Sequence, residues 1–427
     1  MAASRTTVIV DNGGNEIKAT KLSASDVLSI KSDGKIPAPL CVPNALARPA
    51  KNAIQPPPDK VGKSRRPPKY LVGREILIAP DTSGMSFRRP IDHGFISLWD
   101  AQRDIWNSVF SKDKGVGISP SDIQSSSFVV TEQLGVPMHM RRAMDELVFE
   151  SFGFHEYAPT PPQRLAALGA GRQTCVVLDS GFSFTTAVPV VNGMELPYCA
   201  KRLKVGGKLL TNYLRETITY RSWNMTDETS VVNAVKERLC YISMSYMREL
   251  AATKKGKGIT KAYVLPDLTR SVFDPVGHVL QEGEETDGTE QLLKMNNERI
   301  AIPEILFSPS DIGLKQGGIA ETIFQAVESC PEEVRADLYE NIVLTGGNCL
   351  FRNFKERVDV ELRPLVDSVY DVNTTLEESP TLTAINGGIR AVVEDSDSLK
   401  FVTKEVFSEL GSDGILRELY GDEMETG

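Results

Sequence analysis

Histidine is scarce in this chain and its cysteines are scattered, so the sequence offers few ligands for a metal. Four histidines and six cysteines occur among 427 residues, and no CxxC pair is present. Structural zinc sites usually need cysteine and histidine ligands at close, regular spacing. Several of the cysteines lie in apolar runs, which is typical of reduced, buried thiols in an intracellular protein. The sequence therefore argues against a zinc site.

Long apolar runs and an excess of positive charge are also missing. No apolar stretch approaches the about 20 residues of a membrane helix, and no basic and apolar leader is visible at the start, so we expect no secretory signal. Acidic residues outnumber basic ones by 57 to 48, which gives a net charge of −9. Bulk charge therefore does not attract nucleic acid or an anionic membrane, and any such contact requires a local basic patch. The length is sufficient for two domains or more.

Two short segments built alike are the most informative feature that is present. Val8 to Gly14 and Val176 to Gly181 are each an apolar, β-branched run followed by an acid, a small polar residue and glycine. This pattern predicts a buried strand that ends in a tight turn, whose backbone N–H groups can surround an anion. A plain turn is the alternative for either segment alone. Together, the two segments predict a clamp that holds a polyphosphate between two similar halves.

Further features fit this clamp and the fold around it. Lys18 lies on the strand that leaves the first turn, where its ammonium group can reach back to a phosphate. Thr345-Gly346-Gly347 lies between a strand and a helix, where ligands bind in α/β sheets. Strands that alternate with helices predict an α/β architecture. The apolar spacing predicts one helix over 97–110, capped by Ser97, and another over 231–250.

With these pieces placed, the chain resembles the actin family along nearly its whole length. The resemblance is carried by Asp11-Asn12-Gly13-Gly14 with Lys18, Asp179-Ser180-Gly181, His93-Gly94 with Trp99-Asp100 and Ile105-Trp106, Lys236 to Tyr241, Thr345 to Asn348, and Asn386-Gly387-Gly388. It implies a two-lobed α/β ATPase fold with ribonuclease-H-like halves, four subdomains and a central nucleotide cleft. The implied boundaries are 1–32, 71–169 and 383–427 for subdomain 1, 33–70 for subdomain 2, 170–205 and 315–382 for subdomain 3, and 206–314 for subdomain 4.

The resemblance also implies a cofactor site for ATP or ADP with Mg²⁺. The implied nucleotide-binding residues are Asp11, Asn12, Gly13, Gly14, Asn15, Lys18, Asp179, Ser180, Gly181, Gly207, Lys236, Glu237, Gly346, Gly347 and Asn348. Asp11 and Asp179 are expected to hold the metal ion weakly, through water.

Departures from the family pattern concern hydrolysis. The aspartate that orders water around the metal ion is replaced by Phe182, and the threonine–histidine pair of the water network is Thr185-Thr186. The glutamine that positions the attacking water falls at Pro162 or Gln163, and the lysine against the adenine is Thr381. Hydrolysis needs a water molecule held in line with the terminal phosphate. We therefore expect nucleotide binding with little or no ATPase activity.

The other departures concern assembly. The stretch from Cys41 to Lys69, where actins carry the loop that grips the next protomer, is rich in proline and strongly basic, so we expect no homopolymer. A solvated linker is the plain interpretation; the functional alternative is a docking arm or DNA contact through Lys63, Arg65, Arg66 and Lys69. The insert 270–293 in subdomain 4 is either an acidic surface loop or a contact for another protein.

Within the family, the resemblance is to a nuclear class that serves chromatin remodellers. It implies a nuclear protein with a cytoplasmic pool, and a non-catalytic scaffold in a Swr-type complex that exchanges an H2A-class histone variant. The implied partners are the remodeller motor ATPase, a zinc-finger HIT-type subunit, and nucleosomal DNA and histones. The competing hypotheses are an active ATPase or small-molecule kinase with the same clamp, and a filament-forming cytoskeletal protein.

Overall fold

A computed structural model describes residues 5–49, 69–79, 84–255, 259–267, 276–281, 283–284, 288–394 and 398–420. Within these residues the strands are, in chain order, β1 (Thr7–Asn12), β2 (Glu16–Leu22), β3 (Leu40–Pro43), β4 (Leu46–Arg48), β5 (Leu71–Val72), β6 (Ser86–Arg88), β7 (Ile91–Asp92), β8 (Phe95–Ile96), β9 (Ser127–Thr131), β10 (Glu156–Thr160), β11 (Cys175–Ser180), β12 (Thr185–Val191), β13 (Met194–Glu195), β14 (Lys201–Leu203), β15 (Lys261–Val264), β16 (His278–Val279), β17 (Leu292–Met295), β18 (Ile342–Thr345), β19 (Thr374–Leu376) and β20 (Val402–Thr403).

The helices are, again in chain order, α1 (Ala24–Asp33), α2 (Arg74–Leu77), α3 (Trp99–Phe110), α4 (Pro120–Ile123), α5 (Met138–Glu146), α6 (Pro162–Gly169), α7 (Gly207–Arg221), α8 (Thr229–Leu239), α9 (Tyr246–Lys254), α10 (Glu298–Glu304), α11 (Ile319–Glu328), α12 (Glu332–Glu340), α13 (Phe354–Leu362), α14 (Thr383–Glu394) and α15 (Lys404–Tyr420). A π-helical turn over Leu147–Phe152 continues α5. Across the described residues, no helix combines the length and apolar character needed to cross a membrane.

Two large sheets repeat the same arrangement, one in each lobe. The first has the order β20-β10-β9-β1-β2-β3, and the second has the order β13-β12-β11-β18-β19 with β14 beside β12. In each, the strand that carries the acid pairs antiparallel with the next strand and parallel with a later one: β1 with β2 and β9, and β11 with β12 and β18. The predicted α/β fold of two similar lobes is confirmed.

The central strands are buried because their side chains are apolar on both faces. Val8, Ile9 and Val10 are at most 1% exposed, and Val176 to Leu178 are fully buried. Strands of this kind, covered on both faces, carry continuous apolar runs rather than alternating ones. Both acid-bearing turns are therefore delivered from rigid central strands.

Helices α6 and α14 join the two sheets. Leu165 of α6 packs in the core of the first lobe with Ile9 of β1, whereas Ala166 and Ala167 pack with β11 of the second lobe. The two helix backbones touch, since a Cβ at Gly387 would lie 1.7 Å from the carbonyl oxygen of Leu165. Glycine is therefore required at this crossing, where the chain passes between lobes.

Two helix predictions need correction. Ser97 does not cap α3, which begins at Trp99; its hydroxyl instead donates to the carbonyl of Pro90 at 3.1 Å. The predicted helix over 231–250 is two helices, α8 and α9. The extended link between them is held from outside, because Tyr241 and Ile242 donate their backbone N–H groups to the carbonyls of Arg299 and Arg352.

The basic segment and the insert differ from their sequence interpretations where the structure describes them. Residues 40–43 and 46–48 form strands, with β3 at the edge of the first sheet. Insert 270–293 contains β16 and the start of β17, which flank β15 in a three-stranded sheet. Val279 and Leu293 pack in the second-lobe core. Part of the insert's apolar character is thus explained by internal packing, and removal of all of 270–293 would remove core residues.

Candidate functional site

The first turn joins β1 to β2 and presents small residues beside one ion pair. A Cβ at Gly13 would lie 2.6 Å from the carbonyl oxygen of Glu16, so this tight turn requires glycine. Lys18 Nζ lies 3.1 Å from Asp11 Oδ2, and Thr131 donates its hydroxyl to Asp11 Oδ1 at 3.1 Å. Burial alone would lower the pKa of Lys18, but the carboxylates of Asp11 and Glu16 outweigh it and the pKa is raised. Lys18 is therefore a fixed cation at the turn.

Asn12 is held by the protein on the inner side of this turn. Its Oδ1 accepts from Asn44 Nδ2 at 3.2 Å and from Trp106 Nε1 at 3.3 Å, and its Nδ2 donates to Gln102 Oε1 at 3.4 Å. Asn44 also donates to the carbonyl of Gly13 at 2.9 Å. The side chain of Asn12 is thus fixed by hydrogen bonds to three other side chains of the first lobe. The nucleotide-binding role of Asn12 stays a prediction.

The second turn follows β11 and is tied to the third. Asn348 Nδ2 donates to Ser180 Oγ at 3.1 Å and to the carbonyl of Gly181 at 2.9 Å. Gly346 has φ +97°, and a Cβ there would lie 2.4 Å from the carbonyl oxygen of Ser180. A side chain is excluded at Gly346 for both reasons. The structure therefore brings the second and third predicted turns together in one lobe.

The first and second turns also meet, although they belong to different lobes. A Cβ at Gly14 would lie 2.7 Å from Ser183 Oγ and 3.6 Å from Phe182 Cδ1. The start of α7 closes the second turn from the other side, since Gly207 donates its backbone N–H to the carbonyl of Gly181 at 3.0 Å. The predicted clamp is thus assembled from two turns in van der Waals contact.

Lys236 lies beside these turns on α8. It is 4% exposed and donates to Thr211 Oγ1 at 2.9 Å, to Asn233 Oδ1 at 3.0 Å and to the carbonyl of Gly207 at 3.4 Å. Burial lowers its pKa, while the neighbouring carboxylate of Glu237 opposes the shift. Such a buried cation, held by neutral oxygens alone, is suited to an added acceptor.

Two other predicted residues lie at the rim of this region. Glu237 is exposed and accepts a hydrogen bond from Asn233 at 2.7 Å. At Gly347 a Cβ would meet only Thr381, at 4.0 Å, so the backbone there leaves open space. The cofactor-binding roles of these residues, and of Asn15, remain predictions.

Gln163 resolves one alternative that the sequence left open. It begins α6 together with Pro162, is 1% exposed, and donates Nε2 to Asp179 Oδ2 at 3.1 Å and to Thr186 Oγ1 at 3.2 Å. A glutamine is therefore present beside the acid of the second turn. Its own Oε1 is buried without a hydrogen-bond partner. Of the two alternatives, Gln163 rather than Pro162 thus lies at the position of the glutamine, whereas Phe182 and Thr186 remain departures.

Burial governs the ionisation of Asp179. It raises the pKa of this carboxyl group to about 6, and the nearby carboxylate of Asp11 adds to the shift, while Lys18 and Gln163 oppose it. Desolvation and a like charge both disfavour the ionised form. Asp179 and Asp11 therefore share one electrostatic environment across the interface between lobes.

Arginine side chains stack on both aromatic rings of the second turn. The Arg89 guanidinium lies 4.7 Å from the ring centroid of Phe182, and that of Arg202 lies 4.0 Å from the ring centroid of Phe184. Gly94 packs so closely that a Cβ there would lie 2.1 Å from Phe184 Cε1. No sequence signal singled out Arg89 or Arg202, because their partners are distant in the chain.

Metal ligands are few in this site. Within the described ranges, no group of three or more histidine, cysteine, aspartate or glutamate side chains is arranged to hold a metal ion. Asp11 and Asp179, the two acids predicted to act through water, are engaged by Lys18 and Gln163 respectively. The turns thus offer a divalent cation two carboxylates that are already engaged, and its other ligands would have to be water and phosphate oxygens.

The predicted partner-contact residues lie mostly outside the described residues. This holds for Lys63, Arg65 and Arg66. Lys69 is exposed, and its ammonium group lies 5.5 Å from the ring centroid of Tyr70.

Comparison with known proteins shows which family this sequence matches. The profile of the family described as Actin matches residues 3–419. Actin-related protein 6 of Arabidopsis thaliana is 37% identical, with 95% of this chain and 97% of that protein aligned. Actin-like protein ARP6 of Yarrowia lipolytica is 32% identical over 95% of each chain. Actin-related protein 6 of Neurospora crassa is 33% identical over 98% of this chain and 95% of its own length.

Proposed function

The chain belongs to the actin family, and from that premise we propose that it is a non-catalytic structural subunit of a nuclear Swr-type chromatin-remodelling complex that exchanges an H2A-class histone variant. It binds an adenine nucleotide in the clamp and hydrolyses it little or not at all. Its partners are the motor ATPase and a zinc-finger HIT-type subunit. The names of the relatives, which are actin-related proteins, support the class.

The observation that carries the non-catalytic role is the chemistry of the second turn. Phe182 stands where the family pattern has a carboxylate that orders water, and its ring faces the Arg89 guanidinium. Thr186, at the place of a proton-transferring histidine, has no group that titrates near neutral pH. Hydrolysis requires an aimed water molecule and a proton acceptor. Neither is supplied by this turn.

An active ATPase is the second candidate, and Gln163 is the observation that favours it. A glutamine amide beside Asp179 is the type of group that orients an attacking water. Single-turnover measurement with ATP labelled on the terminal phosphate separates the two functions. We expect no phosphate release beyond the protein-free blank. Release at the rate of a polymerising actin, assayed beside it, would replace our proposal with the ATPase.

The scaffold role is tested by assembly. We expect the chain, co-expressed with the motor ATPase and the zinc-finger subunit, to co-purify with both in equal amounts. The chain alone should remain in the supernatant when sedimented in polymerising salt. Pelleting would instead support a filament-forming protein.

The proposed DNA contact is tested by its salt dependence. In R65A/R66A, the slope of log affinity for nucleosomes against log salt should fall by about 0.9 for each phosphate contact removed. A slope equal to that of the unmodified chain would remove DNA contact from the proposal without affecting the scaffold role.

A further inference from the structure

Arg89 is a cation placed at the junction of the two phosphate turns. It follows β6, and its Nη1 donates to the carbonyl of Asn15 at 3.0 Å and, more weakly, to that of Gly14 at 3.5 Å. Its guanidinium stacks on Phe182. Arg89 therefore touches the first turn with its edge and the second turn with its face.

No acid neutralises this guanidinium within the described part of the chain. None of the ion pairs there includes Arg89. Its hydrogen bonds there are all donated by Nη1, so the N–H groups of Nε and Nη2 remain available to an added acceptor. Burial lowers its pKa to about 10, which leaves it charged at neutral pH. A desolvated cation without an anionic partner is costly, and an arriving anion removes that cost.

The acids of the clamp, by contrast, are already engaged. Asp11 is bound by Lys18 and Thr131, and Asp179 accepts from Gln163. Phe182 adds no oxygen atom at the second turn. A divalent ion would have to compete with these contacts for its carboxylate ligands, whereas a phosphate meets in Arg89 a guanidinium that has no carboxylate partner among the described residues.

Guanidinium suits phosphate for geometric reasons. Its planar N–H groups form paired, charge-assisted bonds to phosphate oxygens, and it is weakly hydrated. Stacking on an aromatic ring fixes the plane and leaves the in-plane donors directed outward. Phe182 thus orients Arg89 while it withholds the carboxylate that a hydrated metal ion would use.

We propose that the clamp binds the phosphates of a nucleotide without a divalent ion, and that Arg89, held flat on Phe182, supplies the positive charge in its place. This inference rests on the proposed nucleotide binding and replaces the expected Mg²⁺. It makes Arg89 a phosphate ligand and Phe182 its positioning residue.

The test is titration of the full chain with a fluorescent ADP analogue, in Mg²⁺ and in excess EDTA. We expect the two dissociation constants of the unmodified chain to agree within about twofold, since no metal contact is lost. Arg89→Ala should weaken binding about tenfold in both media, as expected for loss of a charge-assisted hydrogen bond. The matched control is Arg88→Ala, which removes an exposed neighbouring arginine and should leave both constants unchanged.

Phe182→Asp gives an independent readout. A carboxylate at this position should make binding depend on the metal, so that EDTA weakens it about tenfold or more relative to Mg²⁺. Far-ultraviolet circular dichroism checks that each variant is folded.

Loss of binding by the unmodified chain in EDTA alone, or equal binding by Arg89→Ala, would overturn the inference and leave nucleotide binding intact. Absence of binding in both media would refute nucleotide binding itself, and the inference with it.

Discussion

The phosphate turns of the two lobes differ in what surrounds their glycines. Both follow a central strand of the same sheet arrangement. The first turn carries Gly13 and Gly14 and is backed by the Asp11–Lys18 ion pair. The second turn continues into Phe182 and Phe184, each covered by an arginine. The first turn is therefore backed by charged groups, and the second is followed by aromatic rings.

This difference shows that the residues of a turn can change while the strands that carry the turn keep the same arrangement. The framework depends on apolar residues in β1 and β11, which both lobes retain. Gly14 and Phe182, which differ between the turns, lie beyond the ends of these strands, so they can differ without altering the sheets. Function in this fold resides in the site rather than in the architecture.

The largest loss of folding stability should come from breaking the Asp11–Lys18 ion pair at the first turn. Lys18→Met leaves the carboxylate of Asp11 buried without its cation, which should lower the free energy of unfolding by about 3 kcal/mol. Urea denaturation of the nucleotide-free chain measures this. The double variant D11N/K18M, which removes both charges, should recover most of the loss. Equal stability of K18M and the unmodified chain would show that this pair is not a support of the turn.

A smaller effect is expected where the second turn packs against the first lobe. Gly94→Ala introduces a Cβ that clashes with the Phe184 ring and occupies a backbone with φ +86°. The expected loss is about 2 kcal/mol, again from urea denaturation. The same substitution in a Phe184→Ala background should cost clearly less, because only the backbone strain remains. Additive losses would indicate that the ring does not fill this space.

The smallest effect concerns the contact between α6 and the second turn. Gln163→Ala removes the hydrogen bonds to Asp179 and Thr186, which should cost about 1 kcal/mol in the same assay. The control is Gln173→Ala, since Gln173 is exposed and its side chain should contribute nothing. A loss for Gln163→Ala no greater than for this control would contradict the observed contacts.

Local sequence patterns predicted the framework well, for a physical reason. The apolar runs before the two glycine turns form the buried strands β1 and β11 as predicted, because strands covered on both faces require continuous apolar residues that are visible in the sequence. The same patterns failed at α8 and α9. There the helical spacing continues, but Tyr241 and Ile242 bond to distant carbonyls instead.

The site was predicted in its turns but not in its surroundings. Glycine-rich turns after apolar strands are a local signal, so Gly13, Gly181 and Gly346 were identified from sequence. Thr131 and Arg89 were not assigned, because each reaches the site through a tertiary contact with a turn far away in the chain. Gln163 was one of two alternatives, and its contact with Asp179 favours it.

Composition and short-range patterning alone determined that this chain has two similar lobes, each presenting a glycine turn from a buried strand. Hydrophobic periodicity and backbone sterics act over a few residues and can be recognised without coordinates. Only the tertiary structure decided which charges those turns meet. Desolvation and electrostatic pairing depend on distances between residues such as Arg89 and Phe182, and no local pattern encodes those distances.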